Sequence, residues 1–145
     1  MNKKRKFISL ILIMSIGILV LYLINTFMFG NIKNVNQIIN ESEVYSKKDI
    51  EKAMITAKRQ FKFGFRGCKL TDLWYDDDIN LSSASSWASQ YNADEAIVLL
   101  SNFDVGSSGG DGSLNPNDTY SDWQWILVRN KGDINWILKT WGYKV

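Results

Sequence analysis

The sequence has no histidine, one cysteine and one proline among its 145 residues. Histidine is the side chain that most often serves as a general base or a metal ligand, so its absence argues against many catalytic and zinc sites. A single cysteine excludes an intramolecular disulfide framework and a multi-cysteine zinc site. A single proline excludes a proline-rich linker. These absences favour a binding role over catalysis.

Aromatic residues, in contrast, are plentiful. The chain has six Trp, six Tyr and seven Phe, and 46% of its residues are hydrophobic. A disordered chain is poor in such residues, so we expect part of this one to pack a core. The length is that of one ordinary domain and argues against two.

Charge is divided unevenly along the chain. The net charge of +2 includes Lys3, Lys4, Arg5 and Lys6, and removing these four leaves 13 basic against 15 acidic residues, a net charge of −2. A domain with that balance lacks the basic surface that nucleic-acid binding requires. We therefore expect no nucleic-acid partner.

An uncharged apolar run follows the basic cluster over residues 7–24. As a helix it would be about 27 Å long, close to the hydrocarbon thickness of about 30 Å. Residues 25–30 contain no small-residue cleavage site, and Cys68 lies too far along the chain for a lipoprotein attachment. The pattern predicts an uncleaved signal anchor, with a cleaved signal peptide and a buried helix of a soluble protein as the alternatives.

The anchor also predicts an orientation and a division of the chain. Positive residues stay in the cytoplasm, so the N-terminus is expected inside and the rest outside, as a single-pass protein of the cell membrane. Residues 1–29 would form the cytoplasmic tip and transmembrane anchor, with residues 7–29 in contact with the membrane. Residues 30–45 would form a stalk with one or two helical turns, and residues 46–145 the extracytoplasmic domain.

Within that domain, apolar periodicity predicts two helices and four strands. Ser46 would cap a helix whose apolar stripe is Ile50, Ala53, Met54, Ala57 and Phe61. The other predictions are strands at 68–75, 95–105, 123–129 and 136–143, a helix at 82–91, a polar turn at 76–78 and a long loop at 106–122. Helices early and strands late indicate an α+β fold, with a long helix packed on one face of an antiparallel sheet.

Four segments carry a resemblance to a known family: FRGCKLTDLWYDDD, AIVLLSNFDV, SSGGDGSLNPNDTYSDWQWILVR and WILKTWGY. Over residues 46–145 they resemble small exported proteins of low-GC Gram-positive bacteria, which carry an N-terminal membrane or lipoprotein signal and one domain of unknown function. The resemblance implies the cone-shaped nuclear transport factor 2-like (cystatin-like) fold, in which a helix lies in the hollow of a curved sheet. It implies no activity.

The long loop presents a candidate calcium site. Asp111, Ser113, Asn115 and Asn117 place oxygen ligands at alternate positions, and Asp122 falls at the twelfth position of such a loop. Pro116 stands where a calcium loop needs glycine, because proline cannot adopt the left-handed conformation of the sharp turn. A hairpin loop stabilised by Asx turns is the alternative, and we expect no other cofactor.

The paired aromatic residues of the last two strands are the candidate binding residues: Trp123, Trp125, Trp141 and Tyr143. Trp and Tyr suit ligand stacking and protein interfaces, although core packing explains them as well. We expect a non-enzymatic module that binds an unidentified cell-surface protein or small ligand. The alternative is a hydrolase- or isomerase-like enzyme that uses a carboxylate in the hollow, with Asp72, Glu95 and Tyr143 as possible inward groups and no catalytic residue assigned.

Overall fold

The structure, a computed structural model, describes residues 2–143. It contains three helices and five strands within that range. In chain order they are α1 (Lys3–Met28), β1 (Asn36–Ile39), α2 (Lys47–Gly64), β2 (Cys68–Tyr75), α3 (Asp77–Gln90), β3 (Glu95–Val105), β4 (Thr119–Arg129) and β5 (Ile137–Gly142).

The strands form one mixed sheet in the order β1-β2-β3-β4-β5. The pairs from β2 to β5 are antiparallel, as the sequence predicts, but β1 pairs parallel with β2. The predicted α+β class is confirmed, and the sheet is mixed where we expected an antiparallel one. The curvature implied by the cone-shaped fold stays a prediction.

Strand β1 lies in the segment that we predicted to be a stalk with helical turns. Its Asn36 aligns with Asp72 and its Ile39 with Tyr75 on β2. This four-residue strand has only weak apolar patterning, so its sequence contains no local pattern that would predict a strand. It forms because its backbone is stabilised by a partner strand more than 30 residues away. The segment between anchor and domain is therefore in part an edge strand of the sheet.

The rest of that segment is held down by side-chain hydrogen bonds. Ser42 Oγ donates to Asp77 Oδ1 at 2.7 Å, and the Tyr75 hydroxyl donates to the same oxygen at 2.7 Å. These hydrogen bonds, first that from Ser42 and then that from Tyr75, hold the pKa of Asp77 below its usual range. Residues 40–45 are thereby tied to the start of α3.

Helix α1 is the transmembrane candidate. It has no buried residue, and it is long and apolar enough to cross a membrane. A buried helix of a soluble protein would have a covered face, and this helix has none, so it differs from that alternative.

Helix α2 begins at its predicted cap and buries its predicted apolar stripe. The Ser46 side chain accepts a hydrogen bond from the Asp49 N–H at 3.2 Å, which is the expected N-terminal cap. The buried residues of the helix are those of the predicted apolar stripe: Ile50, Ala53, Met54, Ala57 and Phe61. They share one core with Leu99 and Trp125, which point to the same side of the sheet.

Helix α3 differs from its prediction in both extent and position. Asp76 caps it, with Oδ1 accepting from the Ile79 N–H at 2.9 Å, so the predicted polar turn is the first turn of this helix. Its Ala88 packs with Ala96 and Val128, whose side chains point away from the α2 core. Helices therefore cover both faces of the sheet, because the apolar residues of the central strands alternate between two buried faces.

Arg129 connects the first turn of α2 to the sheet, at the opposite end of this helix from Gly64. Its Nη1 donates to Asp49 Oδ1 at 2.7 Å, its Nε donates to Glu95, and its guanidinium lies 4.2 Å from the centre of the Trp136 ring. The Ser46 hydroxyl also donates to Asp49, at 2.6 Å. The hydrogen bonds from Ser46 and then Arg129 lower the pKa of Asp49 below 3.8.

This lowered pKa predicts a loss of stability in acid. A carboxylate whose folded-state pKa lies below its unfolded value stabilises the fold above the unfolded pKa, and that contribution is lost as the pH falls through the folded value. The urea midpoint of Asp49→Asn should therefore depend less steeply on pH below about pH 4 than that of the wild type. Glu51→Gln, which alters an exposed acid of the same helix, is the control for the loss of one carboxylate. A wild-type slope in Asp49→Asn would contradict this prediction.

Candidate functional site

The loop after β3 is shaped by glycines at positive φ. Gly109 and Gly110 adopt φ values of 68° and 69°. A Cβ at Gly109 would lie 2.5 Å from the carbonyl oxygen of Leu114, and one at Gly110 would lie 3.3 Å from the Leu114 side chain. The loop needs glycine at these positions, and it thereby holds Leu114 against the core.

A cleft opens between this loop, the end of α2 and the last two strands. We call it the aromatic cleft, and it has a volume of about 210 Å³. Three aromatic rings line it, one from the residue after α2 and one from each of the last two strands. The lining residues are Gly64, Phe65, Gly110, Asp111, Ser113, Leu114, Trp123 and Trp141.

The three aromatic rings of the cleft come from the residue that follows α2 and from the neighbouring strands β4 and β5. Phe65 follows the last residue of α2, and its backbone N–H bonds to the carbonyl of Phe61. Its ring lies 6.1 Å from that of Trp123 on β4 and 6.2 Å from that of Trp141 on β5. Phe65 and Trp123 are buried, whereas the Trp141 side chain is 44% exposed and forms the open edge.

The indole N–H of Trp123 is the unusual polar group of the cleft. Its nitrogen is buried and has no hydrogen-bond partner among residues 2–143. The neighbouring Trp125 shows the ordinary arrangement, because its indole N–H donates to Ser101 Oγ at 2.8 Å. A buried donor without a partner costs about 1–3 kcal/mol and is rare in folded proteins. A ligand whose acceptor atom reached this nitrogen would remove that cost, and the nitrogen must first become accessible, because it is closed to solvent in this structure.

The structure brings together two of the four predicted binding residues. Trp123 and Trp141 line the cleft, whereas Trp125 is fully buried in the core and takes no part in its surface. Tyr143 is exposed and packs outside the cleft, with its ring 5.5 Å from Tyr120 and 5.2 Å from Trp123. Phe65 supplies the third ring, although the sequence did not predict it as a binding residue. The one sequence signal for it is its position directly after the glycine that ends α2.

The predicted calcium residues are distributed over the loop and the following strand. Asp111 Oδ1 accepts from the backbone N–H of Ser113 at 3.0 Å, which is an Asx turn. Asn115 donates to Asp118 at 3.3 Å, Asn117 adopts a φ of 57°, and Asp122 lies within β4 with a φ of 55°. These contacts are those of the alternative hairpin-loop interpretation, and calcium binding stays a prediction.

The residues of the enzymatic alternative lie apart. Asp72 accepts hydrogen bonds from Asn36, Thr71 and Asn102, and these bonds, with that from Asn36 largest, lower its pKa. Glu95 is the first residue of β3, and there it pairs with Arg129. Burial raises the pKa of the Cys68 thiol, which fits a structural cysteine better than a nucleophile. Asp72 aligns with Asn102, seven residues along β3 from Glu95, so these two carboxylates form no catalytic pair.

Comparison with known proteins gives no match, whether to protein-family models, to curated proteins or to solved structures. The class of protein is accordingly defined by the fold itself. It is an α+β domain with a mixed five-stranded sheet, joined to an N-terminal helix that is long and apolar enough to span a membrane.

Proposed function

We propose that this protein is a membrane-anchored, non-enzymatic binding module of the exported family that its sequence resembles. Helix α1 is its uncleaved anchor, the basic N-terminal cluster stays in the cytoplasm, and the domain, a variant of the cone-shaped fold, lies outside the cell. The aromatic cleft binds an aromatic or apolar group of a cell-surface protein or of a small molecule. The full exposure of α1 and the charge division along the chain support the anchoring.

The observation that carries this proposal is the unpartnered indole N–H of Trp123 in an aromatic cleft. The rings of Phe65 and Trp141 provide faces for stacking, and the indole N–H provides one hydrogen-bond donor. This combination selects a flat apolar group that carries an acceptor oxygen, such as a ring next to an amide carbonyl. A side chain of a partner protein and a free small molecule can both present this chemistry.

We expect the Trp123 indole signal to report ligand binding directly. In the full chain in detergent micelles, with isotope-labelled indole groups, benzamide should move the Trp123 N–H resonance downfield as the hydrogen bond forms. The Trp125 resonance should stay in place, because that N–H already donates to Ser101. Benzene, which has no acceptor oxygen, should bind about fivefold more weakly, since a neutral hydrogen bond contributes about 1 kcal/mol.

Variants of β5 provide the matched control for this titration. Trp141→Ala removes the open edge of the cleft and should weaken benzamide binding several-fold, in line with about 0.5–1.5 kcal/mol for an aromatic pair. Ile137→Ala, which shortens another exposed apolar residue of the same strand, should leave it unchanged. N-acetylphenylalanine amide is titrated alongside benzamide to distinguish the two kinds of ligand. Tighter binding of N-acetylphenylalanine amide would indicate a peptide ligand, and tighter binding of benzamide would indicate a free small molecule. Equal effects of the two variants, or an unmoved Trp123 resonance, would refute the proposal.

A further inference from the structure

A second crevice lies where α1 meets the domain. Its volume is about 510 Å³. One wall comes from the last turns of α1 and the other from the chain before β1 and the start of β2. The lining residues are Leu21, Tyr22, Asn25, Thr26, Asn31, Lys33, Gly67, Cys68 and Lys69. We call it the junction crevice.

The crevice has a fixed geometry because the junction is bonded to the domain. The Gly30 N–H donates to the Lys62 carbonyl at 2.8 Å, and the Asn31 N–H donates to the Cys68 carbonyl at 2.8 Å. The Leu70 N–H returns a bond to the Asn31 carbonyl at 2.9 Å. A Cβ at Gly30 would lie 2.5 Å from the carbonyl oxygen of Phe61, so this close approach requires glycine. The domain begins directly at the end of the anchor.

This junction sets the depth of the crevice relative to a bilayer. If the apolar run of residues 7–24 fills the hydrocarbon layer, as its length of about 27 Å allows, Asn25 and Thr26 lie at its boundary. Lys33 and Lys69 share the crevice with these two residues and therefore lie at the level of the lipid headgroups. Tyr22, one turn deeper, occupies the zone in which membrane proteins concentrate aromatic residues.

The charge of the crevice is positive and uncompensated by its walls. No carboxylate is among its lining residues, and neither Lys33 nor Lys69 forms an ion pair with a described residue. Asp104, the neighbour of Lys69 across the sheet, accepts a hydrogen bond from Thr119 and does not line the crevice. Two free ammonium groups beside the amides of Asn25 and Asn31 form an environment suited to a phosphate group.

We propose that the junction crevice binds the phosphate of an anionic phospholipid in the leaflet next to the domain. This inference rests on the proposed membrane anchoring, but it is independent of the aromatic cleft. Lys33 and Lys69 pair with the phosphate, whose negative charge is not neutralised by a headgroup cation in such a lipid, and the bound lipid fixes the domain on the membrane surface. An inorganic phosphate ion has the same chemistry, and the experiment separates the two sources.

The test uses the full chain in nanodiscs of phosphatidylcholine mixed with phosphatidylglycerol, with native mass spectrometry of the lipid that each chain retains. Replacing both crevice lysines, Lys33→Gln with Lys69→Gln, should weaken phosphatidylglycerol retention about 25-fold, since each lysine near an anionic surface contributes about fivefold. The matched control is Lys47→Gln with Lys48→Gln at the start of α2, which removes the same charge far from the junction. The control should retain phosphatidylglycerol as the wild type does.

The outcomes separate the inference from the proposal on which it rests. Failure of the chain to enter nanodiscs would overturn the membrane anchor and the lipid site together. Entry with equal retention of phosphatidylcholine and phosphatidylglycerol, or equal losses in both double variants, would overturn the lipid site alone. Displacement of the retained lipid by added inorganic phosphate would assign the crevice to free phosphate and overturn the lipid assignment.

Discussion

Replacing Phe61 with alanine should lower the free energy of unfolding by about 3–5 kcal/mol, the usual range for removing a buried aromatic side chain. Phe61 is fully buried in the last turn of α2. Its ring stacks on Phe65 at 4.9 Å between centres and meets the edges of Phe103 at 5.5 Å and Trp125 at 6.3 Å. The side chain therefore joins the helix to both central strands, and its loss leaves a cavity that the neighbouring rings cannot fill.

Phe63 provides the matched control, since it lies two residues further along the same helix. Its side chain is 63% exposed, so Phe63→Ala should change the stability by less than about 0.5 kcal/mol. Urea unfolding of the full chain in micelles, followed by tryptophan fluorescence, measures both variants, because all six tryptophans lie after residue 73. Similar losses in the two variants would show that Phe61 does not occupy the core position described.

The same deletion should also disturb the aromatic cleft. Phe65, which lines the cleft, stacks directly on Phe61, and Gly30, which fixes the junction, approaches the Phe61 ring. Benzamide binding to Phe61→Ala should therefore weaken even under conditions in which the variant remains folded. One core residue thus supports both sites, since the end of α2 forms part of each.

Much of the fold could be predicted because its longest elements carry local signals. The buried stripe of α2 and the limits of β2 and β3 follow from apolar spacing and from cap or glycine positions. Strand β1 and the start of α3 could not be predicted in this way. A parallel edge strand depends on a partner distant in sequence, and three successive aspartates are as typical of a turn as of a helix N-terminus.

Only one wall of the candidate site, the wall formed by the last two strands, could be predicted from the sequence. Strand alternation places Trp123 on one face of β4, and the same pattern identified Trp141. Alternation could not show that Trp125 is buried beneath them, nor that Phe65 and the glycine-rich loop form the opposite wall. The missing partner of the Trp123 indole is a property of the three-dimensional packing and has no local signal.

Asn80 should be the second position with a large effect, and it lies in the part of α3 that precedes the predicted helix. It is 2% exposed, and its side-chain amide donates to the Val98 carbonyl at 2.9 Å and accepts from the Val98 N–H at 2.8 Å. Strand β2 ends at Tyr75, which pairs with Leu99, so Val98 is the first residue of β3 without a backbone partner on that side. The Asn80 amide therefore replaces the next residue of the strand.

Replacing Asn80 with alanine should lower the free energy of unfolding by about 2–6 kcal/mol, because it leaves both the N–H and the C=O of Val98 buried without partners at about 1–3 kcal/mol each. Asn135→Ala, which alters an exposed asparagine, should cost less than about 0.5 kcal/mol. The same urea titration measures both. A loss below about 1 kcal/mol in Asn80→Ala would mean that water reaches Val98 and satisfies its backbone groups.

The substitution Asn80→Asp distinguishes these hydrogen bonds from simple packing, since the two side chains have nearly the same shape. A carboxylate accepts from the Val98 N–H but repels the carbonyl oxygens of Val98 and Asp76, to which the amide donates at 2.9 and 2.8 Å. Burial and this repulsion should raise the folded-state pKa of the new carboxyl group above its unfolded value of about 3.9. The protonated acid can donate to Val98 as the amide does. The deficit of Asn80→Asp in the free energy of unfolding, relative to wild type, should therefore shrink as the pH falls from the raised folded pKa toward the unfolded pKa. Asn135→Asp, the control, should show no such recovery of stability at low pH. If the deficit of Asn80→Asp were constant with pH, the N–H groups of the Asn80 amide would contribute nothing to the stability of the fold.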